Sequence, residues 1–103
     1  MSLLPRISRP ALLVLEVLLD ESTWTYGYEL TRATGVPAGT LYPLLIRLTD
    51  AGWLTAKWED HGERGRPPRH LYRLSADGRR GARAYLDRAA SRGWATGLEG
   101  ESA

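Results

Sequence analysis

Residues 26–54 read YGYELTRATGVPAGTLYPLLIRLTDAGWL, and the periodicity of this stretch decides the fold. From Ala38 to Ala51 it places Leu41, Leu44, Leu45 and Leu48 at i, i+3, i+4 and i+7, the pattern of a helix with one buried face. Gly39, Thr40, Tyr42, Pro43, Ile46, Arg47 and Asp50 then fall on the opposite side. Upstream, residues 26–34 form a shorter helix, closed by Gly35 at a left-handed cap position, and Val36-Pro37 make the turn. Two short helices joined across a three-residue turn with a glycine have the form of a helix-turn-helix. Leu30, Val36, Leu41 and Leu44 lock the pair together. Pro43 breaks a local rule, because its ring withholds a backbone N–H near the start of a helix. Violations of that kind concentrate at functional or strained sites.

Working outward, Ser8 can cap a first helix over residues 9–20, with Pro10 tolerated in the first turn. Its apolar positions, from Leu12 to Leu19, are wider than the single stripe of a surface helix. One face meets the core, and the other is expected to meet a second subunit. Residues 20–25 connect, with a short strand expected at Trp24. Downstream, residues 53–59 (WLTAKWE) and 69–74 (RHLYRL) alternate as strands. The loop between them, DHGERGRPP, is rich in Gly, Pro and charge, so the pair forms a hairpin with a basic, exposed tip. Trp53, Trp58 and Tyr72 read as core or sheet-face residues and His70 as a structural one. Ser75 caps a last helix over residues 76–94, with Ala82, Tyr85, Leu86, Ala89 and Ala90 as its apolar stripe. Gly78 and Gly81 weaken its start. The tail 95–103 has no pattern and is expected to be disordered.

Composition closes off other classes. The 103 residues suit one domain, with 43% apolar and 25% charged residues in the ordinary globular range. Without Cys, and with His61 and His70 the only histidines, the chain lacks material for a nucleophile with its base or for a thiolate metal site. No Gly-rich phosphate loop is present, so no enzyme and no cofactor are expected. Glu59, Asp60, His61 and Glu63 make a poor metal site, being adjacent ligands on an exposed loop. The apolar run near the N-terminus is interrupted by Glu16 and falls short of the ~20 residues of a spanning helix. No export signal follows it, and a cytoplasmic protein is expected. The formal net charge of +2 hides an asymmetry. Residues 1–63 carry five basic against eight acidic groups, whereas residues 64–92 carry nine Arg against two Asp. A block this basic points to a polyanion, most commonly nucleic acid.

Helix, helix-turn-helix, hairpin, helix is the winged helix-turn-helix order, in which the second motif helix lies in the DNA major groove. The fold class is therefore mainly α with a small β-hairpin (α+β), a winged domain over 1–74 plus a C-terminal dimerisation helix over 75–94. Three segments, YGYEL at 26–30, GTLYPLLIRLTDAGWL at 39–54 and GRPPRHLYRLSADGR at 65–79, resemble in order and spacing the motifs of the PadR-like transcriptional regulators, in their short branch with one C-terminal helix. The resemblance implies a dimeric repressor of a palindromic double-stranded DNA operator, often released by a small aromatic or drug-like effector near the dimer interface. It places Tyr26 and Tyr28 beside the DNA backbone. Gly39, Thr40, Tyr42, Pro43 and Arg47 then belong to the groove-facing helix, and Arg64, Arg66 and Arg69 to the phosphate-holding wing. The homodimer contact is expected at Leu12, Leu15, Leu19, Tyr85, Leu86, Ala89 and Trp94. The rival reading is a winged helix that binds protein, which leaves the basic wing without a role.

Overall fold

A computed structural model describes residues 6–20, 23–60 and 64–94. Helix α1 (Arg9–Asp20) opens the fold, followed by strand β1 (Thr25–Tyr26), helix α2 (Gly27–Thr34) and helix α3 (Ala38–Asp50). Strands β2 (Leu54–Trp58) and β3 (His70–Leu74) come next, and helix α4 (Ala76–Ser91) closes it. The strands form one antiparallel sheet in the order β1-β3-β2. The register runs from Leu54 opposite Leu74 to Trp58 opposite His70. The edge strand β1 falls one residue beyond the expected position, pairing Thr25 with Tyr72 and Tyr26 with Leu71. It stitches the entrance of α2 to the hairpin. The tail 95–103, His61 and Glu63 lie outside the described residues.

Hydrophobic periodicity translates directly into burial. Leu41, Leu44, Leu45 and Leu48 are all at most 2% exposed and pack with Leu30, Val36, Leu54, Tyr72 and Leu74. Fully burying each leucine contributes on the order of 1.5–3 kcal/mol, so this one helix face accounts for much of the drive to fold. The turn before α3 is set by Gly35 at φ 76°, whose N–H donates to Thr31 O at 2.8 Å. Ser8 caps α1, its Oγ accepting from the Ala11 N–H at 3.3 Å.

Helix α4 is fastened at both ends. Ser75 Oγ accepts from the Gly78 N–H at 2.9 Å and donates to Gly52 O at 2.6 Å, tying the end of α3 to the start of α4. Gly78 and Gly81, costly for helix formation, are explained by Trp53. A Cβ at Gly78 would collide with the Trp53 carbonyl, and one at Gly81 with the Trp53 indole. Further along, the Tyr85 hydroxyl accepts from the Ser8 N–H at 2.9 Å and donates to Arg6 O at 3.0 Å.

The same contacts occupy several residues expected at a subunit interface. Leu12, Leu15, Tyr85 and Ala89 are 2%, 0%, 2% and 1% exposed, so the core of a single chain already consumes them. The reason is that α1 lies directly on α4. Leu19 and Leu86 are partly buried against the same core, and Trp94 is exposed just beyond α4. The first helix thus has less spare apolar surface than its sequence suggests. Among the described residues no helix is long and apolar enough to cross a membrane.

Gly78→Ala tests the packing. Helix propensity alone favours Ala by about 1 kcal/mol, but the collision with a backbone carbonyl outweighs this gain. A net loss of about 1–3 kcal/mol is expected in urea unfolding. A variant as stable as wild type contradicts the packing described.

Candidate nucleic-acid interface

Burying four leucines obliges the rest of α3 to face out. Gly39, Thr40, Tyr42, Pro43, Ile46, Arg47 and Asp50 are all exposed. Tyr42 and Ile46 stand 42% and 61% exposed, a large apolar surface for a folded chain to leave in water. Gly39 has open space around a hypothetical Cβ and no left-handed φ, so nothing among the described residues requires a glycine there. Pro43, inside the helix, removes the helical donor to the Gly39 carbonyl. The helix starts at Pro37 without a side-chain cap, and the N–H groups of Thr40 and Leu41 turn back to Pro37 O.

Tyrosines gather beside this face. Tyr42 lies over the backbone of Gly27, where a Cβ would displace its ring. Tyr28, in the first turn of α2, is 62% exposed, with the Arg32 guanidinium 5.9 Å from its ring centre. Tyr26 is half-buried, its hydroxyl donating to Glu29 at 3.1 Å and the Arg69 guanidinium 4.1 Å above its ring. Together with Tyr72, His70 and Arg69 these side chains line an open cleft of about 250 Å³ between α2, α3 and β3. Burial, and secondarily Tyr42, push the Tyr72 phenol above its ordinary value. Its hydroxyl is hydrogen-bonded to His70 Nδ1 at 3.1 Å. His70 in turn stacks on Trp58 at 4.6 Å, which holds Trp58 on the sheet face but 63% exposed, outside the core.

The wing arginines do three different things. Arg64 is exposed. Arg69 caps Tyr26. Arg66 folds back on the hairpin, its Nη1 donating to Glu59 Oε1 at 3.1 Å and to Pro67 O at 3.0 Å. Glu59 Oε1 also accepts from the Arg69 backbone N–H at 2.8 Å. That backbone bond above all, against an opposing desolvation and with help from the Arg66 and Arg69 charges, holds the Glu59 carboxyl below its ordinary value. Of the expected site residues, the structure therefore groups Tyr26, Tyr28, Gly39, Thr40, Tyr42, Pro43, Arg47 and Arg69 around one face and sets Arg66 apart. Neither Ile46 nor Glu59 stands out in the sequence as a site residue. Ile46 shares the helical spacing of Tyr42, which is the signal that finds it. Glu59 carries no local signal, because its partners lie 7 and 10 residues away. Among the described residues no cluster of His, Asp and Glu could hold a metal.

The architecture is that of a winged helix-turn-helix regulator. The chain belongs to the transcriptional regulator PadR-like family, whose model matches residues 14–84. That family comprises transcriptional regulators and not enzymes. A comparison with curated proteins found no match. Among solved structures, the chain is similar to a PadR-like transcriptional regulator (BC4206) of Bacillus cereus, with TM-score 0.64 and 23% identity over 80% of this chain and 82% of that one. It is also similar to overoxidized AbfR bound to DNA, with TM-score 0.66 and 23% identity over 84% of this chain and 60% of that one. Bordetella bronchiseptica BpsR, whose DNA binding is regulated by 6-hydroxynicotinic acid, gives TM-score 0.62 and 20% identity over 86% of this chain and 59% of that one. At these identities the likeness is one of fold.

Glu59 yields a pH prediction. A carboxyl whose value is depressed by folding stabilises the fold above the unfolded carboxylate range, near pH 4.3, and loses that contribution as pH falls through the folded value. The melting-temperature gap between wild type and Glu59→Gln is therefore constant from about pH 6 to 8 and closes on acidification below about pH 4. A gap independent of pH contradicts the contacts described.

Proposed function

We propose that this chain binds double-stranded operator DNA as a homodimer, with the exposed face of α3 in the major groove and the wing along the phosphates. The observation that carries the reading is the α3 face itself. It presents Gly39, Tyr42 and Ile46, an unneeded glycine and two large exposed side chains, on the helix that a helix-turn-helix inserts in the groove. A glycine with free space allows a base edge or sugar to approach the backbone closely. Thr40, Tyr42 and Ile46 offer a methyl, a ring and an aliphatic tip for thymine methyls, and Arg47 offers donors to guanine or phosphate. Tyr26, Tyr28 and Arg69 flank that face, and Arg64 is exposed on the wing; all four suit backbone contacts, which position rather than specify. Pro43 stiffens the same edge.

A two-fold dimer gives the operator its palindrome, with the two α3 helices about 34 Å apart. Its contact is proposed along α1 and α4, where Leu19, Leu86 and Trp94 keep the most exposed surface of the seven residues expected there, beside Leu12, Leu15, Tyr85 and Ala89. Repression, with release by a small aromatic or drug-like effector, completes the reading. Its support is the fold shared with BpsR and an apolar cleft of about 140 Å³ lined by Trp53, Gly81, Ala84, Tyr85 and Arg88.

Two sets of measurements check this. Replacing Thr40 and Tyr42 with Ala is expected to cost operator binding roughly 1–3 kcal/mol per lost base contact while sparing a scrambled duplex. Gly39→Ala is expected to weaken operator binding as well, yet leave unfolding unchanged or shifted up by at most about 1 kcal/mol. Equal losses on both duplexes contradict base readout by α3. Sedimentation at micromolar concentration is expected to show a dimer, and an aromatic compound from a broad set is expected to release bound DNA. A monomer, or insensitivity to every compound, removes the corresponding part of the proposal.

A further inference from the structure

We infer that Glu59 is the positioning residue of the wing, and that it turns Arg66 from a phosphate contact into an internal strut. The inference rests on the DNA-binding reading above. The wing leaves the sheet at Glu59 and rejoins it at Arg69, and these two residues are locked in both directions. The Glu59 N–H donates to Arg69 O at 2.8 Å, and Glu59 Oε1 accepts from the Arg69 N–H at 2.8 Å. The same carboxylate oxygen holds Arg66 Nη1, which also reaches the Pro67 carbonyl, so the guanidinium curls back over its own loop. The two side chains are only 28% and 23% exposed, in contrast to the ion pair of Arg80 with Asp77 on the surface of α4, at 72% and 76%.

A phosphate approaching Arg66 meets a guanidinium whose Nη1 already holds the Glu59 carboxylate and Pro67 O, so its charge is already matched by an anion seated on it. Arg66 therefore adds little to counterion release, although the sequence counts it among the basic tip. What it supplies is shape. Glu59, with Arg66 against it, fixes where Arg69 leaves the loop, and Arg69 in turn sits over Tyr26 at the edge of the α2–α3 face. One acidic side chain thus lowers the wing's sequence-independent attraction for DNA while holding its base in place, which favours discrimination over raw affinity.

The experiment compares wild type, Glu59→Gln, Arg66→Gln and the double variant. Affinity for a random and an operator duplex is measured across a range of salt concentrations. Each phosphate neutralised contributes a slope of about 0.9 in log affinity against log salt. Gln can still accept from the Arg69 N–H but no longer neutralises Arg66. Glu59→Gln is therefore expected to steepen the random-duplex slope by nearly one, to tighten random binding severalfold and to lower the operator-to-random ratio. Arg66→Gln is expected to leave the wild-type slope unchanged, and the double variant to return to it. A flattening by nearly one in Arg66→Gln, or an unchanged slope in a folded Glu59→Gln, overturns the inference. If Glu59→Gln does not fold, the Arg66→Gln slope decides alone. Failure of wild type to bind any duplex is failure of the DNA-binding reading instead. The melting temperatures of the four proteins then decide for the strut, with coupling between Glu59 and Arg66 supporting it and strict additivity overturning it.

Discussion

The constraint on which everything else hangs is the seating of Leu41, Leu44, Leu45 and Leu48 beneath α1, α2 and the sheet. A helix has one rotational setting that buries all four, and that setting determines what the other side presents. Gly39, Tyr42, Ile46 and Arg47 face water because the leucines do not, and no separate interaction is needed to display them. Residues on a helix so anchored keep a fixed register, which base recognition requires and a loop cannot provide. The exposed face is thus largely a by-product of the core, with Tyr42 also resting on the Gly27 backbone.

Around this anchor the sheet and α4 act as braces. The edge strand β1 and the Ser75 cap join segments distant in sequence, and Trp53 seats α4 through the two glycines that admit it. The Tyr85 hydroxyl reaches across to the backbone of Arg6 and Ser8, which fixes the start of α1 on α4. A core this thin leaves few redundant contacts, so single polar groups such as Ser75 Oγ and Tyr85 Oη gain weight.

Periodicity in the sequence makes most of this legible. The leucine spacing of α3, the alternation at 54–58 and 70–74, the caps at Ser8 and Ser75 and the turn at Gly35 are all local signals, and each element appears within a few residues of its expected position. What local signals cannot carry is partnership at long range. The surplus apolar width of α1 suggests an interface, yet Leu12 and Leu15 are consumed by packing within the chain, where α4 lies 60 or more residues away. Likewise the wing reads as a basic tip with Arg66 among its phosphate contacts, because nothing in DHGERGRPPR shows that Arg66 folds back on Glu59. Gly78 and Gly81 look like weaknesses until Trp53 is placed beneath them.

The central claim is that the outer face of α3 enters the major groove of an operator in a two-fold arrangement. Methylation protection of guanine N7, an atom reachable only from that groove, tests it most directly on the DNA upstream of the chain's own gene. The account predicts two short protected patches centred about 10–10.5 base pairs apart, or a multiple of that spacing, with the protein bound. Bound DNA whose guanines remain as reactive as free DNA, or are protected without any such spacing, contradicts it.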